Sequence, residues 1–529
     1  MQTLVAARAA VMLSTGTRRW RRVAGPAAWA VILCLLLLSG CAGLPPRGDP
    51  PATRALAEVG DTRVGRVVAA SSPHPRLSGF RLLVAGEDAL GALIDLADHA
   101  DKTLDLQYYL IHNDPSTRAI LQRVQAAADR GVRVRFLLDD VHTAGEDHNL
   151  LEFSRHPNIE VRLFNPFPSG RLSMVTRIAG ALTDIGRINH RMHSKMFVAD
   201  NTLAVTGGRN LGDPYFVRSP TSNFLDLDVV AAGPVVRQLS AAFDAFWNSA
   251  LAYPVETLAD AKAPAPPDSP PLMGGADAVS PRRNSLLADE LRQGRLKLAW
   301  VPATVLADQP AKIVSEGNPE LEETIADDVV ALMAGAQREV LVISPYYVPG
   351  PRGLALTRAL RERGVRVRVL TNSLAATDAP VVHIGYARYR KPLLEAGVEL
   401  HELQPKLKLA RTRLGPFGSS RASLHVKAMV IDRRTVLVGS MNMDPRSARL
   451  NSEIGMVLRA PALAEQLVRL YEDVTLHSSY RLGLTPEQAL QWTKDAPEDR
   501  EVHFGEPEAS AWLRLTLLLL TPFAPEELL

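Results

Sequence analysis

Cysteine is almost absent from this chain, with two thiols in 529 residues, Cys34 and Cys41, both near the N-terminus. That excludes a disulfide framework and a cysteine-rich metal site, and leaves the stability of the rest to its core. A bilayer-spanning apolar run is lacking too. The stretch from Val23 to Leu38 falls short of the roughly 20 residues a span needs, and the C-terminal "WLRLTLLLL" is shorter and interrupted by Arg514, which predicts a packed terminal helix. A charge excess of one sign is missing as well. The formal +3 rests on five arginines, at 8, 18, 19, 21 and 22, in a leading segment without a single acid, and removing that segment leaves −2. The general attraction to nucleic acid is thereby withdrawn, and any anion site must be local. No HExxH or cysteine cluster offers a zinc ligand set.

What is present begins with an export signal over 1–40. Arg18, Arg19, Arg21 and Arg22 precede the apolar run, and Leu38, Ser39, Gly40 and Cys41 resemble a bacterial lipobox. This predicts lipidation at Cys41 and a lipid-anchored protein of the bacterial envelope facing the periplasm. Ala42, where an aspartate would retain the protein in the inner membrane, points to the outer membrane. Residues 41–78, rich in Pro, Gly, Arg and Ser without apolar period, read as a tether.

From there the chain runs twice through one plan. Helix 88–100, strand 102–110, helix 116–131 and strand 132–140 are answered by helix 321–336, strand 338–348, helix 353–364 and strand 365–373. Even the junction "RGVRVR" repeats, at 130–135 and 363–368. The expected fold is α/β: two duplicated halves, 79–254 and 319–480, with mostly parallel mixed sheets flanked by helices. A linker over 255–318 separates them, and a tail, 481–529, ends in a helix. The active site is expected at the pseudo-twofold interface.

The repeat carries chemistry. "HRMHSKMFVADNTLAVTGGRN" (190–210) and "LHVKAMVIDRRTVLVGSMN" (424–442) set His193, Lys195, Asp200, Gly207 and Asn210 against His425, Lys427, Asp432, Gly439 and Asn442, each pair 232 positions apart. On an extended segment residues i and i+2 face one side, so each histidine projects with its lysine. Two such halves face to face would surround one phosphate with two imidazoles and two ammonium groups. Imidazole suits both nucleophile and acid. Lysine is a poor metal ligand, so the site is read as metal-free, and no cofactor is expected.

These motifs resemble the phospholipase D superfamily, whose signature is HxK, four residues, D, six residues, GSxN. The resemblance implies that one histidine attacks phosphorus to give a phosphohistidine while the other protonates the leaving alcohol and later deprotonates the acceptor. It assigns His193 as nucleophile and His425 as acid/base, with the exchange of roles left open. Lys195, Lys427, Asn210, Asn442 and Ser440 would hold the phosphate. The first half has Gly208 in place of serine, a departure that puts a phosphate contact there in doubt. Asp200 and Asp432 belong to the motif, with a structural part in holding loops at the interface. Asp226 and Glu453, downstream in each half, would orient the imidazoles, and Asp228 would not.

"LDLQYYLIHND", "NIEVRLFNPF", "GGRNLGDPYF" and "HIGYARYRKPLLEAGVEL" further resemble the C-type branch of bacterial cardiolipin synthases. That implies phosphatidyl transfer between phosphatidylglycerol molecules, with phosphatidylethanolamine as co-substrate, at a membrane surface. Hydrolysis of phospholipid to phosphatidic acid stays open beside it. A nuclease of the same superfamily is disfavoured by export and charge. Two basic runs, Lys406, Lys408, Arg411, Arg413 and Arg421, and Arg171, Arg177, Arg187 and Arg191, are expected to ring the site mouth and meet headgroups.

Overall fold

The computed structural model describes residues 43–171, 173–180, 184–259, 271–272, 285–314, 324–407, 420–496 and 499–526. The signal segment with Cys41, and Lys408, Arg411 and Arg413, lie outside them.

Two large sheets face each other. The first runs, edge to edge, through Ala252–Pro254, Ile159–Phe164, Arg133–Asp139, Thr103–Tyr108, Met196–Ala199, Leu203–Gly207, Asp228–Ala232, Ser78–Leu83 and Ala299–Val301. In the second, Glu399–Leu403, Arg366–Asn372, Glu339–Ile343, Ala428–Ile431, Thr435–Gly439, Ile454–Arg459 and Ala303–Ala307 repeat, in order and direction, the seven strands from Ile159–Phe164 to Ser78–Leu83. The duplication expected from sequence is thus a duplication of topology. Its sheets are mixed. Parallel pairing in each seven-stranded set is confined to the three strands joined by helical crossovers. The motif strands turn back through hairpins at 200–202 and 432–434, and a hairpin can only pair antiparallel.

Local chemistry accounts for the repeated junction. Helices Pro115–Asp129 and Gly350–Glu362 each end at an arginine followed by a glycine at positive φ, Gly131 (95°) and Gly364 (80°). Val132 and Val365 then donate back to Ala127 and Leu360, the 6→1 bond that closes a helix and launches the next strand. The arginines of "VRVR" are drawn inward by acids on neighbouring strands: Arg135 meets Asp105 at 2.6 Å, and Arg368 meets Glu339 at 2.6 Å.

Three segments differ from expectation. The stretch read as a tether is packed: helix Arg63–Ser71, capped by Thr62, buries Val64 and Val68 in the first core, while the Thr53 and Ala55 N–H groups donate to Asn248 and Asp244. The stretch read as a linker holds helix Leu286–Arg292, the edge strand Ala299–Val301 and, at Ala303–Ala307, the opening strand of the second sheet. The tail adds strands Ser479–Leu484, Leu490–Ala496 and Asp499–His503 to the second sheet before helix Ala511–Leu520. Short strands, set among Pro, Gly and charged residues, carry too few alternations to stand out in the sequence. Between the sheets one apolar core spans both halves, with Leu225, Leu227 and Val229 packed in the same cluster as Leu424, Val426 and Ile454.

Candidate active site

A short strand leads into each histidine, Arg191–Met192 and Arg421–Leu424, and neither pairs within its own half. Arg191–Met192 lies parallel to Asn451–Ser452, and Arg421–Leu424 parallel to Ser222–Leu225. Each histidine-bearing segment is therefore tied by backbone to the segment carrying the opposite half's acid. The His193 N–H donates to Ser452 O at 2.9 Å, and the His425 N–H to Leu225 O at 2.7 Å.

This register makes the side-chain couples reciprocal. His193 Nδ1 meets Glu453 Oε2 at 2.9 Å, and His425 Nδ1 meets Asp226 Oδ2 at 2.5 Å. All four groups are buried. A carboxylate on Nδ1 fixes the tautomer and leaves Nε2 for chemistry. Burial, against the pull of Glu453, pushes the His193 imidazole down to about 4. Burial and Lys427 push His425 well below the ordinary histidine range. Burial raises Asp226 to about 6. It works the same way on Glu453, but His193, Lys195 and the Ser440 hydroxyl outweigh it and hold this carboxyl below its usual range. At neutral pH the site thus presents a neutral His193 against an ionised Glu453.

The lysines are buried beside the histidines they accompany. Lys195 Nζ donates to His193 O at 2.5 Å and Lys427 Nζ to His425 O at 2.7 Å, each using one of three donors. Burial brings Lys195 down to about 7, and Lys427 is lowered for the same reason. Each ammonium feels the other half's charges, Glu453 and Asp226 acting on both, so the two motifs share one electrostatic site. The buried amides of Asn210 and Asn442 keep Oδ1 without a partner among the described residues. An amide oxygen only accepts, so it suits a ligand's hydroxyl, while a phosphate would have to be met by Nδ2.

The Gly208 departure has a steric cause. A Cβ at Gly208 would lie 2.1 Å from Asp226 Oδ1, so the short carboxylate occupies the space of the missing side chain. In the second half the acid is the longer Glu453, and Ser440 fits beside it, its Oγ donating to Glu453 Oε2 at 2.5 Å and accepting from the Ile454 N–H at 3.0 Å. The hydroxyl expected on phosphate is spent on the acid. Glycine with aspartate and serine with glutamate are two solutions to one packing problem. Asp228, the acid set aside, is the counter-ion of buried Arg209 at 3.4 Å.

Asp200 and Asp432 stand apart from the imidazoles, at the far ends of strands Met196–Ala199 and Ala428–Ile431. Each sits in its hairpin at positive φ (50° and 52°) and gathers three backbone amides of its own half. Asp200 accepts from Asp101, Lys102 and Thr103, and Asp432 from Gln337, Arg338 and Glu339. They hold the loop before the neighbouring strand, not a loop at the interface. Asp200 is fully buried and Asp432 half-buried. Asp200→Ala should therefore cost about 3 kcal/mol, through amides left without acceptor or water, and Asp432→Ala roughly a third of that. Denaturant titration should rank them so, with the folded fraction of each keeping near-normal turnover; a catalytic part for these acids would show as lost turnover at intact stability.

Several neighbours escaped the sequence reading. Tyr109 stands edge-on to His193 at 4.9 Å and to His142 at 5.4 Å, while Tyr215 and Phe224, stacked at 4.7 Å, flank His425 at 5.3 and 5.1 Å. On the His425 side, Tyr346 donates to exposed Asp378 at 2.9 Å. None of these has a counterpart of like chemistry in the other half, so the repeat could not reveal them; only "QYY" and "DPYF", in stretches quoted for their resemblance, hinted at them. The arginines expected at the mouth are spent on the protein instead. Arg171 pairs with Asp140 and Asp147, Arg177 with Asp140, Arg187 with Asp184 and Arg191 with Asp139. Most of these acids lie 24 to 52 residues away in sequence, which hid the pairing. Arg421 donates to Ala375 O.

Comparison with known proteins agrees with this geometry. The family model described as cardiolipin synthase, PLD-like domain, matches twice, at 93–247 and 329–474. Cardiolipin synthase C of Escherichia coli is 38% identical over 467 residues, covering 87% of this chain and 98% of that protein. Cardiolipin synthase A of Pseudomonas aeruginosa is 26% identical over 408 residues, covering 77% and 68%. Among solved structures, the phosphatidylserine synthase of Haemophilus influenzae superposes with a TM-score of 0.54 at 15% identity, over 88% of this chain and all of that one, a likeness of fold.

Proposed function

Because the chain belongs to the phospholipase D superfamily, in its cardiolipin synthase-like branch, we propose that it transfers a phosphatidyl group between phospholipids through a phosphohistidine. The reciprocal couples, His193 with Glu453 and His425 with Asp226, carry this reading, since they supply two oriented imidazoles near enough for the charge of one to act on the other. Neutral His193 attacks phosphorus with Nε2, and the bond to the leaving alcohol breaks. His425 gives that alcohol a proton and takes one from the incoming glycerol hydroxyl, which then displaces His193. In the free site burial first, and then the lysines, oppose a charge on His425. A phosphodiester anion that engages Lys195 and Lys427 balances their part and adds an attraction of its own, so that His425 can carry the second proton. The exposed Asp378 beside it gives protons a route to solvent.

The donor is proposed to be phosphatidylglycerol, or phosphatidylethanolamine as co-substrate, and the acceptor a second phosphatidylglycerol. Purified protein given headgroup-labelled phosphatidylglycerol should form cardiolipin and release labelled glycerol. Phosphatidic acid as the sole lipid product would make it a hydrolase, and no turnover of any phospholipid would overturn the reading.

The lysine and histidine shifts set the pH response. The free site needs His193 neutral, Lys195 charged and a proton taken up by His425, so kcat/KM should be lost below about pH 4, decline as rising pH makes that proton scarcer, and fall off in a final, steeper limb above about pH 7 where Lys195 discharges. Lys195→Arg keeps its charge at any working pH and should move the alkaline limb upward even as the maximum drops. A limb that stays in place would assign it elsewhere.

No helix among the described residues is long and apolar enough to cross a membrane. Attachment to the bacterial envelope, facing the periplasm and sorted to the outer membrane, is assigned to a lipid on Cys41. Cys41→Ala should leave the precursor at its uncleaved mass; normal processing of this variant would refute the assignment.

A further inference from the structure

The helix Ala511–Leu520, expected to be packed, is packed on one side only. Leu517 is buried with Leu374, Ala375 and Ile384, and Leu513 and Leu520 are partly covered. Trp512, Leu515, Leu518 and Leu519 face solvent, exposed by 76, 47, 69 and 65%. Positions 512, 515 and 519 share a helical face, and Leu518 borders it. Val381, on the helix Pro380–Ala387 beneath, is exposed as well. A stripe of this kind marks an interaction surface.

Its position points to the occupant. Leu374 and Ala375 follow the strand Arg366–Asn372, and the Asn372 side chain holds Leu424, the residue before His425, by bonds of 2.8 and 2.9 Å. Three residues beyond Ala375, Asp378 binds Tyr346, and its charge reaches His425 and Lys427. The helix therefore stands against the segment that runs from Asn372 to Asp378 past the His425 side of the site. Its one charged residue, Arg514, is exposed and flexible enough to reach headgroup phosphates while the leucines go deeper.

We infer that this face docks the protein on a phospholipid bilayer, Trp512 and the three leucines entering the acyl region so that the His425 side of the site meets headgroups. The inference rests on the lipid-substrate reading above and adds to it the surface by which substrate is reached.

The test uses the full-length protein reconstituted in vesicles of phosphatidylglycerol and phosphatidylethanolamine carrying brominated acyl chains. Trp512, one of six tryptophans, is read as the emission difference between wild type and Trp512→Phe, and should be quenched by the bromines; an unquenched difference would overturn the proposal. The combined Leu515→Ser, Leu518→Ser and Leu519→Ser variant should turn over vesicle lipid about tenfold more slowly, with an unchanged rate on short-chain phospholipid below its micelle concentration. Equal rates on vesicles would refute docking. So would a wild-type dimer that this variant converts to monomer, which would give the face to a second copy of the chain. Quenched Trp512 in a protein that turns over neither lipid would uphold docking while removing the lipid chemistry it was argued from.

Discussion

Replacing His193 by alanine should abolish turnover of every substrate, by at least about 10⁴-fold, while His425→Ala should be equally inactive on natural phospholipid yet form phosphoenzyme from a substrate whose leaving group needs no proton. The asymmetry follows from the two roles. Without the nucleophile no bond to phosphorus forms, whereas without the acid a phenolate of low pKa can still depart. Both variants should fold. In His193→Ala, Glu453 keeps the Ser440 hydroxyl and the neighbouring ammonium of Lys195, so no carboxylate is stranded. In His425→Ala, Asp226 keeps the Leu227 N–H, and its raised pKa of about 6 lets it take up a proton. A His193→Ala protein active on the phenolic substrate, paired with an inert His425→Ala, would exchange the roles; comparable activity in both would remove the two-histidine mechanism.

Glu453→Gln should lower turnover by about 10³- to 10⁴-fold, because an amide of nearly the same shape no longer selects the tautomer that leaves Nε2 free. Asp226→Asn should cost a similar amount, and the two defects should differ in kind. Glu453 stands in the same half as His425 but orients His193. Its amide variant should therefore slow phosphoenzyme formation with good and poor leaving groups alike. Asp226→Asn should resemble the loss of His425 and recover with a good leaving group. If each acid served the histidine of its own half, the two patterns would be reversed.

The crossing of these couples was not legible in the sequence. Asp226 and Glu453 could be matched as counterparts because each stands eight residues before a proline, Pro234 and Pro461, but spacing along a chain carries no sign of which half an acid faces. That choice is made by two short parallel ribbons, Arg191–Met192 on Asn451–Ser452 and Arg421–Leu424 on Ser222–Leu225, too brief to leave a pattern. The histidines and lysines were legible because both copies carry them at one spacing. The helices and strands around "RGVRVR" were legible because periodicity, caps and glycines agreed there. Asp200 and Asp432 were motif residues whose work, holding amides at the far end of the strand, only the backbone path reveals. The seven strands of the second half begin at Ala303, inside what composition marked as a linker, because a five-residue strand after a proline-rich stretch offers little alternation. Tyr109, Tyr215 and Phe224 have no duplicates, so the repeat that exposed the rest was silent about them.

The most direct measurement is the site of covalent labelling. His425→Ala should be mixed with a phosphatidyl donor bearing a good leaving group, quenched at alkaline pH to preserve a phosphoramidate, and mapped by peptide mass spectrometry. A phosphatidyl adduct on His193 alone is expected, absent from the His193→Ala/His425→Ala double variant. Release of the leaving group without any adduct on His193 would contradict covalent transfer through a nucleophile shared by the two halves.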